Sequence, residues 1–327
     1  MVRGFETRRG FIGEFAALAA CAAVSPFAGC ATSSSRPRVA PPARRDPESE
    51  SRLVSEWDAA SEAVSRDVYL RYLKDGDTRG FAILENAERA FDKVMREAVS
   101  LRVDGDVPVV WCVYNMGFVV KTRHSLFSID LVHRRDAEFA PLLDFALVTH
   151  NHGDHWRKGF VGAMSAAGKP VVSNFLRDPR FESIKKRNGC TAKGVGAFKL
   201  GDAEIRTSLI DHGDAPWAID FTMAFEIKIG GFILYHTGDS GRGTVPKLHV
   251  TVGRPDLWLF FPGCGIDTPA AVGKINPKRI VFGHLWELGH AAGRRGRLDE
   301  PLVRRRLAEA RPLCADTSLA FWGDRIC

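Results

Sequence analysis

Residues 149–155 read Thr149-His-Asn-His-Gly-Asp-His155, which places three imidazoles and one carboxylate within six consecutive positions. This stretch ends an apolar run of strand length at residues 143–149, so the cluster is expected where a buried strand ends. Residues 156–164, which follow, have the amphipathic pattern of a helix. Neutral imidazole and carboxylate are natural ligands of a divalent metal such as zinc. The stretch therefore predicts a metal site between a strand and a helix of an α/β fold.

Three further residues of ligand type, His212, Asp239 and His284, each follow a predicted strand later in the chain. The strands in question are residues 203–211, 231–235 and 279–283. An aspartate between glycines, such as Asp239, is often only a turn residue. Because ligand types recur at the ends of several strands, metal binding is the favoured interpretation for all three.

The pattern His150-x-His152-x-Asp154-His155 resembles the signature of the metallo-β-lactamase fold superfamily of hydrolases, and the later ligands come in that family's order. The resemblance covers roughly residues 108–325. It implies a four-layered αββα sandwich, in which helices cover two stacked sheets. It also implies a hydrolase that uses a metal-bound hydroxide.

Two divalent metal ions are implied by the same resemblance. One would be held by His150, His152 and His212, and the other by Asp154, His155 and His284, with Asp239 as the bridge. Two adjacent cations repel each other, so Asp154 and Asp239 favour a two-metal centre over a single metal. Asp154 is also expected to be essential for catalysis. Zinc is the expected metal, with manganese and iron as alternatives.

Other residues near this site have more than one interpretation. His236 either orients a ligand or is an ordinary histidine at the end of a strand. His290 competes with His284 for the last ligand position, and His284 is favoured because it directly follows its strand. His290 would then face the substrate or lie on the surface. Arg294 and Arg295 are expected to meet an anionic group of the substrate, unless they are solvated surface residues.

The N-terminus predicts export. Thr7-Arg-Arg-Gly-Phe-Ile12 resembles a twin-arginine signal, and the apolar stretch that follows, residues 14–27, is too short to span a bilayer. Phe27-Ala-Gly-Cys30 resembles a bacterial lipoprotein processing site, which makes Cys30 the expected point of lipid attachment. The expected partner is the twin-arginine machinery, and the lipid would anchor the protein to a membrane facing the periplasm or the exterior. A chance arginine pair in a basic chain is the alternative.

Composition and periodicity divide the chain into four parts. Residues 1–30 are the signal, and residues 31–50, rich in Ser, Pro, Arg and Ala, are a predicted disordered linker. Apolar residues recur at helical spacing over 53–68 and 84–101, which predicts two helices in a preface of residues 51–105 that packs on the main domain. Residues 106–327 are the predicted hydrolase domain, with strands at 109–114, 118–120 and 126–131 and helices at 155–165, 177–187 and 299–310.

The formal charge of +7 does not by itself indicate a nucleic-acid partner. The arginines at 304–306 fit the solvated face of a helix, and no basic stretch is interleaved with aromatic residues. The seven cysteines show no C-x-x-C spacing. Cys264, near the expected site, is either a buried structural residue or a soft metal ligand, and a Cys314–Cys327 disulfide is left open.

Three classes of function remain open. The leading interpretation is a two-metal hydrolase of a small-molecule or lipid-like substrate, expected to be a phosphodiester. Residues 238–241 and 255–261 look closest to ascorbate-phosphate lactonases and N-acyl phosphatidylethanolamine phospholipases D, whereas residues 261–268 depart from the substrate loop of both. Hydrolysis of lactones, esters or amides is therefore the alternative. The other two classes are a mononuclear iron oxygenase and a non-catalytic metal-binding lipoprotein.

Overall fold

The computed structural model describes residues 42, 45–173, 196–213, 222–290 and 298–327. The export signal, Cys30, Arg294, Arg295 and the helix predicted at 177–187 lie outside these ranges. No helix in the described ranges has both the length and the apolar character needed to cross a membrane.

The first sheet follows the order of the chain. Its strands are β1 (Val109–Tyr114), β2 (Gly117–Lys121), β3 (Leu126–Ile129), β4 (Phe145–Leu147) and β5 (Val171–Val172). The first three strands are antiparallel neighbours, and β4 and β5 join them in parallel. Every residue of these strands except Lys121 is buried, as expected for a sheet covered on both faces.

The second sheet has the order β12-β11-β10-β9-β8-β7-β6. Its strands are β6 (Gly196–Leu200), β7 (Ala203–Ile210), β8 (Thr222–Ile229), β9 (Phe232–His236), β10 (Leu257–Phe260), β11 (Ile280–Phe282) and β12 (Thr317–Leu319). Strands β6 to β9 pair antiparallel, and β9 to β12 pair parallel. Strands β7, β9, β10 and β11 therefore run in the same direction, and their carboxyl ends meet at one edge of the sheet.

The described residues also form six α-helices, three of which pack directly on strands of the two sheets. They are α1 (Pro47–Glu62), α2 (Arg66–Asp75), α3 (Ala82–Ser100), α4 (Lys158–Ala166), α5 (Thr268–Ile275) and α6 (Glu300–Ala310). Helix α3 contacts β1 and β2, α4 contacts β5, and α6 contacts β12 of the second sheet. Between the sheets, the Phe118 and His236 rings lie 5.9 Å apart. The predicted α/β sandwich of four layers is confirmed.

The N-terminal helices differ from the sequence prediction in two ways. Helix α1 begins at Pro47, inside the predicted disordered linker, because the Asp46 side chain caps it by accepting a hydrogen bond of 2.8 Å from the Ser49 amide. The single helix predicted over 53–68 is two helices, since the Ser65 hydroxyl accepts from the Val68 amide and starts α2. The apolar pattern continues through this break, so periodicity alone did not reveal it.

Two predicted boundaries near the ligand cluster also shift. The strand predicted over 126–131 ends at Ile129, because Asp130 adopts a left-handed φ of 47°. The helix predicted from 155 begins at Lys158, since residues 150–155 form a turn that is closed by the His155 amide donating to the His152 carbonyl. Both departures leave more of the chain in loops beside the ligands.

Candidate metal centre

Seven residues of ligand type come together at the carboxyl ends of the strands, in two adjacent groups. The first group is His150, His152 and His212, and the second is Asp154, His155, Asp239 and His284, with the ligand atoms of each group within 4.8 Å of one another. The residues follow β4, β7, β9 and β11. A backbone hydrogen bond of 2.9 Å from the Met223 amide to the Thr149 carbonyl joins the loop after β4 to the second sheet.

Asp239 lies between the two groups. Its Oδ1 is 3.1 Å from His155 Nε2, and its Oδ2 is 3.1 Å from His284 Nε2. The same Oδ2 lies 3.6 Å from Nε2 of His212 in the first group. A carboxylate placed in this way can offer an oxygen to each side.

Several buried ligand atoms have no hydrogen-bond partner within the described part of the chain. They are Nε2 of His150 and both ring nitrogens of His212. A buried polar atom without a partner costs about 1–3 kcal/mol, so evolution rarely retains a group of them without a ligand. Imidazole nitrogens and carboxylate oxygens in this arrangement fit a divalent metal of the zinc type.

The protonation of the first group suits metal binding. Burial and the neighbouring His155 lower the pKa of His150 well below its usual value. Burial, with His212 beside it, lowers the pKa of His152 to about 4. Both rings are therefore neutral at physiological pH, which is the form that coordinates a metal.

The second group is held together by opposite charges. Burial raises the pKa of the Asp239 carboxyl, but the positive charges of His155 and His284 hold it well below its usual range. Burial lowers the pKa of His155, while the neighbouring carboxylates, Asp239 foremost, raise it well above its usual value. A dication in this group would take the place of the imidazole protons, so its binding is expected to release protons.

Asp130 orients one histidine in each group, a role that its position in the sequence does not predict. This fully buried carboxylate accepts hydrogen bonds from the Thr149 amide at 2.7 Å and from the Thr149 hydroxyl at 2.6 Å. It also accepts from Nδ1 of His155 at 2.9 Å. Because the Thr149 hydroxyl donates to Asp130, Nδ1 of His150 donates to that hydroxyl at 2.9 Å. Both rings are thereby left with Nε2 available for a metal.

His236 supports the backbone beside Asp239. Its Nε2 lies 3.3 Å from the Met116 carbonyl, and its Nδ1 accepts from the Gly238 amide at 3.1 Å. Gly238 has a left-handed φ of 50°, and a Cβ there would lie 2.8 Å from the Thr149 hydroxyl oxygen. Only glycine therefore allows the turn before Asp239 to lie against the loop that carries His150.

Asn115, in the turn between β1 and β2, joins two ligands of the second group and was also missed. Its side-chain Nδ2 donates to Oδ2 of Asp154 at 3.0 Å. Its backbone carbonyl accepts a hydrogen bond of 3.1 Å from the His284 amide. Asn115 and His284 both have left-handed backbones, with φ of 55° and 61°. Such a conformation at a non-glycine residue marks a position that the surroundings hold in place.

The structure separates His284 from its competitor, His290. Nε2 of His284 lies 3.1 Å from carboxylate oxygens of both Asp154 and Asp239. His290 belongs to another group, with Glu287 and Asp154. Its Nδ1 donates to Oε2 of the buried Glu287 at 2.6 Å, and this hydrogen bond raises the pKa of His290.

A cavity of about 360 Å³ lies beside the second group. The ligands His152 and Asp154 line it together with Glu287 and His290. Helix α2 lines it with Arg66, Tyr69, Leu70 and Leu73. The apolar stripes of the N-terminal helices predict only packing surfaces, because nothing in the local sequence shows that α2 lies next to the ligands.

Comparison with known proteins agrees with this chemistry. No protein-family model matches the chain. It is 28% identical over 159 residues to a UPF0173 metal-dependent hydrolase of Heliobacterium modesticaldum, a match that covers 43% of this chain. The chain is thus similar to metal-dependent hydrolases. It spans 65% of that relative, less than two thirds of its length. This similarity supports the hydrolase superfamily that the ligand spacing resembles.

Two solved structures are also similar to this chain. Igni18, a metallo hydrolase from the archaeon Ignicoccus hospitalis, has a TM-score of 0.49 at 16% identity, covering 67% of this chain and 97% of that chain. The metallo-beta-lactamase fold protein YhfI of Bacillus subtilis has a TM-score of 0.45 at 15% identity, covering 67% of this chain and 99% of that chain.

Proposed function

We propose that this protein is a metal-dependent hydrolase that works with two divalent metal ions, zinc being the expected metal. The observation that carries the proposal is the pair of adjacent ligand groups with the Asp239 carboxylate between them. His150, His152 and His212 would hold one ion, and Asp154, His155 and His284 the other. Metal ions in such a centre polarise the electrophile and lower the pKa of a bound water.

Neighbouring residues orient the proposed metal ligands and line the cavity beside them. Asp130 holds two ligand histidines by their Nδ1 atoms, directly at His155 and through Thr149 at His150. Asn115 fixes the carboxylate of Asp154. His290, bound to the buried Glu287, contributes a polar group to the wall of the cavity, where a substrate can meet it.

The residues that line the cavity favour an amphiphilic, anionic substrate. Leu70 and Leu73 give its wall an apolar side, and Leu70 is 50% exposed. Arg66, at the first turn of the same helix, adds a cation that suits a phosphate or carboxylate group. These features favour a phosphodiester of phospholipid-like character, with lactones, esters and amides as the alternative. Arg294 and Arg295 lie outside the described residues and stay predicted substrate contacts.

A substrate panel tests this preference. We expect zinc- or manganese-loaded protein to hydrolyse a chromogenic phosphodiester. We expect Arg66→Ala to raise KM for it about 10–100-fold, since a charge-assisted hydrogen bond contributes roughly 1.5–3 kcal/mol. Arg71→Ala, on the same helix, is the matched control and should leave KM unchanged. Turnover of lactones only, unaffected by Arg66→Ala, Arg294→Ala and Arg295→Ala, would refute the phosphodiester preference.

We further propose that the protein is exported through the twin-arginine machinery and anchored by a lipid on Cys30. The support is the sequence of residues 7–12 and 27–30. Cys30→Ala is expected to move the protein from the membrane fraction to the soluble fraction after cell fractionation, because one acyl-type anchor is lost. Cys21→Ala, within the same predicted signal, should stay with the membranes. A parent protein found soluble in the cytoplasm would contradict both parts of the proposal.

A further inference from the structure

A further group of ligand atoms adjoins the two proposed metal-ligand groups. Sγ of Cys264 lies with ligand atoms of His212 and Asp239, all within 4.8 Å of one another. Cys264 follows β10, whose carboxyl end lies at the same sheet edge as those of β7 and β9. The fold therefore places a thiol next to His212 of the first group and Asp239 of the second.

The backbone holds Cys264 in an unusual conformation. Its φ is 48° and that of Gly265 is 74°, so two consecutive residues are left-handed. A left-handed backbone costs a cysteine about 1–2 kcal/mol, which the surroundings must offset. The Arg242 amide donates to the Cys264 carbonyl at 3.1 Å, and Cβ of Cys264 lies beside Gly213, the neighbour of His212. These contacts fix the cysteine next to the His212 loop.

His212 gives an independent reason to place a ligand here. Its side chain is 3% exposed, and neither ring nitrogen has a hydrogen-bond partner within the described ranges. Nitrogen of His212, oxygen of Asp239 and sulfur of Cys264 together make a mixed donor set of the kind that binds zinc. A thiol that merely filled space would need neither the strained backbone nor these neighbours.

We propose that Cys264 is an additional ligand of the metal that His212 and Asp239 bind. This inference rests on the proposed metal centre and deepens it. A thiolate is a soft ligand, so the centre prefers zinc or iron over manganese, which favours oxygen ligands. The sulfur thus determines which metal the centre selects.

Cobalt substitution tests the sulfur ligand directly. The full chain is stripped of metal and reloaded with Co²⁺, and its near-ultraviolet spectrum is recorded. We expect a sulfur-to-cobalt charge-transfer band in the parent and in Cys327→Ser, and no such band in Cys264→Ser. The visible cobalt bands of Cys264→Ser should persist, which shows that the variant folds and still binds metal. A parent without the band, or a band that survives Cys264→Ser, overturns the inference.

Metal competition gives a second readout. Cys264→Ser should weaken zinc binding by at least about 10–100-fold. Loss of a residue that only orients a metal ligand already weakens metal binding by that factor, and a direct ligand contributes more. Manganese binding should change far less, so the preference for zinc falls at least about tenfold. Equal losses for both metals contradict the sulfur ligand. A parent that binds metal and hydrolyses substrate without the sulfur band refutes Cys264 alone, whereas a parent that binds no metal refutes the proposed function as well.

Discussion

Asp239→Ala is expected to lower the metal content from about two divalent ions per chain to about one or none, and to reduce hydrolysis by roughly a thousandfold. The Asp239 carboxylate lies 3.1 Å from His155 and His284 and 3.6 Å from His212, so its loss affects both groups at once. Without that negative charge, two adjacent cations repel each other with nothing to offset the repulsion.

Elemental analysis after dialysis, together with kcat/KM, measures both effects of Asp239→Ala. Glu204→Ala is the matched control, because this carboxylate lies on β7 of the same sheet and is 57% exposed. Its metal content and rate should equal those of the parent. One metal in the parent protein, or full metal retention in Asp239→Ala, would rule out a two-metal centre. One metal would instead favour the mononuclear iron alternative.

The strands were the most predictable part of the fold. The run of apolar residues at 109–114 coincides with β1, since a strand buried on both faces needs apolar residues at every position. The helix boundaries were less predictable. The break at Ser65 depends on one capping hydrogen bond, and the apolar stripe passes over it without interruption. Local capping chemistry therefore sets such boundaries within a continuous periodic pattern.

The metal centre was predictable where ligands lie close in sequence or follow a clear strand. Asp130 and Asn115 were missed for a physical reason: their role depends on contacts across the fold. Asn115 lies 39 positions from Asp154, the residue that it orients, and Asp130 lies 25 positions from His155. One signal for Asp130 was present, an aspartate in an otherwise apolar strand run, because a buried charge requires partners. The sequence of helix α2 has no comparable feature that predicts its position beside the cavity.

Asp154→Ala is expected to remove activity while leaving about one metal ion bound, because the change falls on the second group alone. Asp154 Oδ2 lies 3.1 Å from His284 Nε2 and 3.5 Å from His155 Nε2. The three histidines of the first group and Asp239 stay intact in this variant. Loss of one metal from a two-metal centre removes several kcal/mol of stabilisation from the transition state, which lowers the rate by roughly a thousandfold.

Asn115→Ala separates the positioning of Asp154 from its charge. This variant removes the 3.0 Å hydrogen bond to the Asp154 carboxylate and a 3.4 Å hydrogen bond from the same amide to the Asp154 backbone carbonyl, but it leaves the ligand oxygen in place. We therefore expect a loss of metal affinity of about 10–100-fold, with activity recovering at high metal concentration. Added metal should not restore Asp154→Ala, because the ligand oxygen itself is gone. Titration of both variants with zinc while turnover is followed distinguishes the two effects. If Asp154→Ala keeps the parent rate, catalysis does not take place at this cavity, and the substrate contacts proposed for Arg66 and His290 fall with it.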